Sequence, residues 1–315
     1  MIAFLPSVLD PAGPQAARIG ALWWLMLWVC TAIYALVLIV LLWGSFRRRA
    51  QAAADPGTER RVTRWVGGAT AVSAVILLGF LVASVATGNS LSSLASPRAL
   101  EIDLTGFQWW WRVEYADPTP SQRVITANEI HIPVGRPVHL RLASRDVIHS
   151  FWVPELHGKR DLIPGRNSEL WLRADRPGVF RGQCAEFCGW QHAHMALLVI
   201  AEPEDRFAAW LESQRQPAAV PATASQQRGK AVFESQACPL CHAIQGSGAS
   251  ASAGPDLTHL AGRRTLAAGT LLNSRGNLAG WILDPQSVKP GNRMPAVSLG
   301  SDDLQALLDY LEALR

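Results

Sequence analysis

Charge is scarce in this chain of 315 residues: only 17% are Asp, Glu, Lys or Arg, while 49% are hydrophobic. That is apolar for a water-soluble protein and points to membrane segments. No Lys/Arg run is interleaved with aromatics, so the net charge of +4 does not indicate nucleic acid as a partner. The five cysteines do not read as a disulfide framework. Four fall in two close pairs, Cys184/Cys188 and Cys238/Cys241, which suits metal or cofactor attachment. Cys30 lies in an apolar run and reads as a small buried residue. Internal repeats and long low-complexity tracts are also missing, and the length suggests about two domains.

Between Ile19 and Phe46 there is no charged residue. A bilayer needs about 20 apolar residues, so this run is long enough to span. It is too long and too Trp-rich for a signal-peptide core, and no small-residue cleavage site is obvious. Val29 before Cys30 likewise speaks against lipoprotein processing. A second uncharged run covers 65–88. In the intervening loop, 47–64, Arg47, Arg48, Arg49, Arg60, Arg61 and Arg64 outnumber Asp55 and Glu59. The positive-inside rule puts that loop in the cytoplasm. The tail 1–18 and everything after the second span then lie on the outer, periplasmic side of the cell's inner membrane. The expected anchor is a two-helix transmembrane hairpin.

From 99 to 213 the pattern changes to short runs such as EIDLTGFQWWWRVEY, NEIHIPV, PVHLRLAS, SELWLRA and GVFRGQCAE. Bounded by Pro, Gly, Asn or Asp, they read as strands of an all-β sandwich or barrel. QRQPAAVPATAS, 214–225, reads as a linker that leaves the arrangement of its flanking domains open. From 226 to 315 the pattern is helical. Its last helix has Ser301 as expected N-cap, Asp302 and Asp303 in the first turn, and Leu304, Leu307, Leu308, Leu311 and Leu314 on one face. So small a helical domain gains stability from a cofactor.

Cys238-Pro-Leu-Cys241-His242 is the attachment signature of c-type haem. Two thiols at this spacing can each form a thioether, and the next histidine reaches the iron axially. Thioredoxin-like CxxC is the main rival, but it would not explain the adjacent histidine. A zinc ribbon would need a second pair nearby. Met294, in GNRMP, is the methionine placed to supply the other axial ligand, and a thioether there raises the potential. Pro255, in GPDL, lies where a small cytochrome c offers a carbonyl to the proximal histidine. His259 reads as a surface histidine.

Cys184, Cys188, His192 and Met195 fall at offsets 0, 4, 8 and 11 in GQCAEFCGWQHAHM. Two thiolates, an imidazole and a thioether suit copper in its soft state, and two cysteines make thiolate bridges between two coppers plausible. A second imidazole must then come from elsewhere. His149 ends a predicted strand. His131, His139 and His157 are rivals, the first two alternating along strands where they would face solvent. His194 breaks the spacing and reads as a non-ligand.

With DVIHSFWVPEL and KRDLIPGR before it, this stretch resembles the dinuclear CuA domain of subunit II of cytochrome c oxidase. The resemblance covers about 1–213, and 226–315 is similar to class I cytochromes c. Together they imply a membrane hairpin, a cupredoxin-like all-β sandwich and a small all-α cytochrome c. The implied copper ligands are His149, Cys184, Cys188, His192 and Met195, plus the Glu186 backbone carbonyl. His149 and Met195 would serve one copper, His192 and the Glu186 carbonyl the other, with both sulfurs bridging. The Glu186 carboxylate would point to a magnesium shared with subunit I. GFQWWWRVEY resembles the family's aromatic segment, and Trp109 falls on the tryptophan through which electrons enter. Phe107, Trp110 and Trp111 read as packing residues. Val62 stands where the family often carries a glutamate thought to feed a proton pathway; Glu59 lies one turn earlier and reads as an arginine partner.

The implied activity is that of a haem–copper terminal oxidase, oxygen-reducing and proton-translocating, whose oxygen site is on subunit I. The implied partners are subunit I, the other oxidase subunits, and a donor such as cytochrome c or the cytochrome bc complex. Two alternatives share these features: the electron-receiving subunit of a CuA-containing nitric oxide reductase, and a membrane-tethered copper chaperone. The chaperone would need labile sites and no haem. A nitrous oxide reductase would lack the hairpin.

Overall fold

The computed structural model describes residues 7–47, 56–91 and 96–315. Arg48, Arg49 and Asp55 of the expected cytoplasmic loop lie outside them. Two units are distinguished: 17–93, and a second made of 94–315 with the segment up to Ala16.

The first unit holds α1, Pro14–Phe46, and α2, Pro56–Leu91. At 33 residues, α1 is about 50 Å long, more than the roughly 30 Å of a hydrocarbon core. Neither helix buries the apolar stretch that could cross a membrane, and the chain is membrane-anchored. Both helices begin earlier than the charge-free runs. Arg18 belongs to α1, its Nη1 donating to Ser90 O of α2. Glu59, Arg60, Arg61 and Arg64 lie in the first turns of α2 rather than in a loop.

In the second unit, alternating apolar residues build a sandwich of two five-stranded sheets. The run expected as one strand at 101–115 is a hairpin, β1 (Leu100–Phe107) and β2 (Trp110–Tyr115), turning at Gln108-Trp109. Then follow β3 (Val124–Ala127), β4 (Glu129–Pro133), β5 (Val138–Ser144), β6 (His149–Trp152), β7 (Arg160–Leu162), β8 (Ser168–Leu172), β9 (Gly178–Cys184) and β10 (Ala196–Glu202). One sheet runs β3-β2-β1-β5-β8, the other β4-β10-β9-β6-β7. The pairs β1/β5 and β4/β10 are parallel. Ile102, Leu104, Trp111, Val113, Leu140, Phe151 and Phe180 fill the space between the sheets. Trp111 is fully buried; Trp110 is only half-buried and stacks on Phe107 at 4.6 Å, outside the core. The segment before α1 is also part of this unit. Ala12 N donates to Glu155 O, Asp175 N to Ala12 O, and Ala16 N to Leu156 O.

After α3 (Glu204–Gln214), the chain enters a helical domain through α4 (Ala224–Ser235), whose N-terminus is closed by a Thr223–Gln226 capping box. A short ribbon, β11 (Thr265–Leu266) with β12 (Leu271–Leu272), precedes α5 (Arg275–Leu283), α6 (Pro285–Val288) and α7 (Ser301–Ala313). Gly300, not Ser301, is the N-cap of α7. Leu307, Leu308, Leu311 and Leu314 are buried and Leu304 packs partly against them. Helices α4 and α7 cross so closely that a Cβ at Gly229 would sit 1.9 Å from Ala306 O. The stretch joining α3 to α4 is tied down: Ala218 N donates to Gln245 O, and His259 Nε2 lies 3.2 Å from Gln216 O. His259 is therefore buried at 7% exposure rather than a surface histidine.

Candidate metal and haem sites

The copper-type residues converge at one end of the sandwich. Strand β9 ends at Cys184, whose N donates to Met195 O, closing the loop that carries Cys188 and His192. Pairing of β6 with β9 sets Phe151 opposite Cys184 and brings His149 alongside. The ligand atoms of His149, Cys184 and Cys188 lie within 4.8 Å of one another. Cys184 Sγ is 3.9 Å from His149 Nδ1 and 3.2 Å from Glu186 O. Cys188 Sγ is 3.6 Å from His192 Nδ1 and 3.8 Å from Met195 Sδ. The other four sequence-derived donors thus lie against the two cysteine sulfurs. The rival histidines do not. His131 stacks on Trp210 and pairs with Glu202; His139 stacks on Trp171 and pairs with Glu101, so neither simply faces solvent. His157 is buried against Gly158 O. His194 is exposed and bonds Gln191 Oε1.

The pocket is dry and fixed. His149 and Met195 are 0% exposed and the two cysteines 2%. Asp146 Oδ1 accepts from His149 Nε2 at 2.8 Å, which turns Nδ1 toward Cys184. Such a partner sets tautomer and ring orientation for a metal. The backbone N of Gln108 holds Asp146 Oδ2 in turn. At Gly106, an added Cβ would lie 2.8 Å from His149 Cδ2, so the ring needs glycine there. Burial alone would lower the His149 pKa, but Cys184 and Asp146 outweigh it and raise it. Of the two thiols Cys184 is the more acidic, chiefly because Cys188 donates to it. This donor set of sulfur, imidazole, thioether and carbonyl fits copper.

In the helical domain a turn at Cys238–Leu240 sets out the two thiols, and His242 N donates to Cys238 O. His242 Nδ1 donates to Pro255 O at 2.7 Å, leaving Nε2 for an axial bond. A Cβ at Gly254 would strike the imidazole at 2.7 Å. Burial lowers the His242 pKa, keeping it neutral as a ligand must be. Cys238 and Met294 pack on the same core. These residues fit a covalently held haem.

Trp109 touches both the loop of Cys188 and the loop leading to Met294. Its Nε1 donates to Cys188 O at 2.9 Å, as does Gln108 Nε2 at 2.8 Å. A Cβ on Gly291, in the loop leading to Met294, would lie 3.7 Å from its ring.

Sequence reading missed Asp146, Glu129, Gln191 and Lys289. Only Asp146 gave a local signal, as an acid three residues before His149. Burial pushes the Lys289 ammonium down to about 7, with Cys188 pulling it back. The Glu186 carboxylate pairs with Lys159 Nζ at 3.1 Å.

Residues 119–202 match the family described as cytochrome C oxidase subunit II, periplasmic domain, and 226–315 match the cytochrome c family. The cytochrome c oxidase subunit 2 of Alkalihalophilus pseudofirmus is 37% identical, covering 98% of this chain and 91% of the relative. That of Bacillus sp. (strain PS3) is 30% identical, covering 86% and 80%. A crystal structure of the periplasmic domain of subunit II of cytochrome oxidase of Bradyrhizobium japonicum is 33% identical, with TM-score 0.36, covering 38% of this chain and 97% of that one.

Proposed function

Because the chain belongs to the cytochrome c oxidase subunit II family, we propose that it is the electron-carrying subunit of a haem–copper oxidase. In this reading the helical domain would hold a covalent haem c that accepts electrons, and the sandwich a dinuclear CuA centre that would pass them to subunit I. There oxygen is reduced to water as the complex translocates protons. The observation that carries the reading is the convergence of His149, Cys184 and Cys188 within 4.8 Å, with His192 and Met195 against Cys188. Bound at these residues, copper and haem would supply one-electron redox chemistry.

The chain's own part is to hold and orient. Cys184 and Cys188, with His149, Met195, His192 and the Glu186 carbonyl around them, would hold the two coppers. Cys238 and Cys241 would attach the haem, and His242 and Met294 would hold its iron. Asp146 and Pro255 fix the two imidazoles by hydrogen bonds at 2.8 and 2.7 Å. Burial keeps water from the sulfurs, and rigid ligands keep reorganisation small. The Trp109 indole, bonded to Cys188 O, is one contact by which the copper pocket would meet the helical domain. A magnesium shared with subunit I would take the Glu186 carboxylate from Lys159. Subunit I, the other oxidase subunits, and a donor such as cytochrome c or the cytochrome bc complex are the partners. Both sites face the periplasmic side of the inner membrane. No proton step is assigned to Glu59 or Val62.

The test is metal and haem content per chain, with visible and near-infrared spectra, for wild type and Met195→Leu. The variant is expected to show a shifted mixed-valence copper band and slower onward transfer, with haem reduction intact. An unchanged copper spectrum sinks the ligand assignment.

A further inference from the structure

The sandwich and the helical domain each bury a charged side chain in the other's backbone. Glu129 on β4, 3% exposed, accepts from Arg264 N at 2.7 Å and Thr265 N at 3.0 Å. Lys289, also 3% exposed, reaches the opposite way. Its Nζ donates to Trp109 O at 2.7 Å and His194 O at 2.8 Å in the sandwich, and to Ala267 O at 3.0 Å in its own domain. Three carbonyls match the three donors of an ammonium. Around these, Gln191 Nε2 donates to Pro290 O at 2.7 Å and Ala196 N to Ala268 O at 2.9 Å. Gly291, at φ +82°, lets the loop rest on Trp109 and Trp190.

A surface that parts at each turnover carries its charges at a wetted rim. Here two ionisable side chains are buried with hydrogen bonds satisfied from across the boundary, and removing a partner would strand one of them. We propose that Lys289 and Glu129 are positioning residues that lock the helical domain onto the sandwich as a permanent cap over Trp109. It follows, and this clause rests on the electron-transfer reading above, that the copper pocket is served only by the chain's own haem domain.

The test uses the full chain in its oxidase complex, with a protease site placed at Val220, which is 87% exposed. After cutting, the wild-type helical domain is expected to co-elute with the complex in size exclusion. Lys289→Met and Glu129→Gln are expected to release it, with haem spectrum and copper content before cutting unchanged. Loss of the domain from the cut wild type would overturn the lock. Its retention in both variants would overturn the assignment to these residues. This readout needs no electron transfer, so it can fail or succeed independently of the proposed function. In uncut Lys289→Met, haem-to-copper transfer is expected to slow at least ~10-fold while reduction of the haem by the donor is unchanged. An unchanged transfer rate would overturn the positioning role.

Discussion

The copper pocket and the haem site are held in opposite ways. Around copper the scaffold is a packed one: His149, Cys184, Cys188 and Met195 are buried, and Asp146, Gly106 and the β6–β9 pairing fix them from outside. In the helical domain Cys238 and Met294 pack at the edge of a small core, and His242 is braced by Pro255 O and Gly254. A ten-stranded sandwich can pre-form a site; a few short helices cannot, and they gain stability from the group they hold.

The largest test of that contrast is Cys238→Ser with Cys241→Ser. Preventing thioether attachment is expected to abolish the cooperative melting of the helical domain, while the sandwich keeps its transition and its copper spectrum. Calorimetry on both forms checks this; a helical domain that melts normally without haem would erase the distinction. Next comes Asp146→Asn, which leaves His149 in place but removes its charged partner. Copper affinity is expected to fall about 10–100-fold with little change in thermal stability, as read by copper titration against a chelator. The smallest effect is expected for Arg141→Ala. The Arg141–Asp103 pair is bidentate but about half exposed, so stability should move by less than about 1 kcal/mol in urea melts. A larger loss would mean that the outer face of the sandwich matters more than its core.

What the sequence revealed was what neighbours in sequence could express. The CxxCH run, the CxxxCxxxHxxM spacing and the two apolar runs are local patterns, and the apolar runs lie within α1 and α2. The helix ends were not legible, because charge marks the edge of a hydrocarbon-compatible stretch rather than the end of hydrogen bonding. Arg18 continues α1 because Ser90 O receives it. Strand β10 escaped the alternation test since residues on both its faces are buried. Asp146 gave only a weak hint, and Glu129 and Lys289 none. Their partners lie on distant segments, 180 residues away for Lys289 and Trp109, and a lone charge in a sequence reads as solvated. His259 misled for the same reason, its partner being the joining stretch.

The binding of Ala12 to Glu155 O and Asp175 N has a consequence for the order of synthesis. The first described segment to leave the ribosome finds its place only after Glu155 and Asp175 have been made. Until then its backbone groups stay with water, and the sandwich lacks the strap that finishes one end. Ala12 therefore docks only after both apolar helices, which separate it from Glu155 in the chain, have been synthesised.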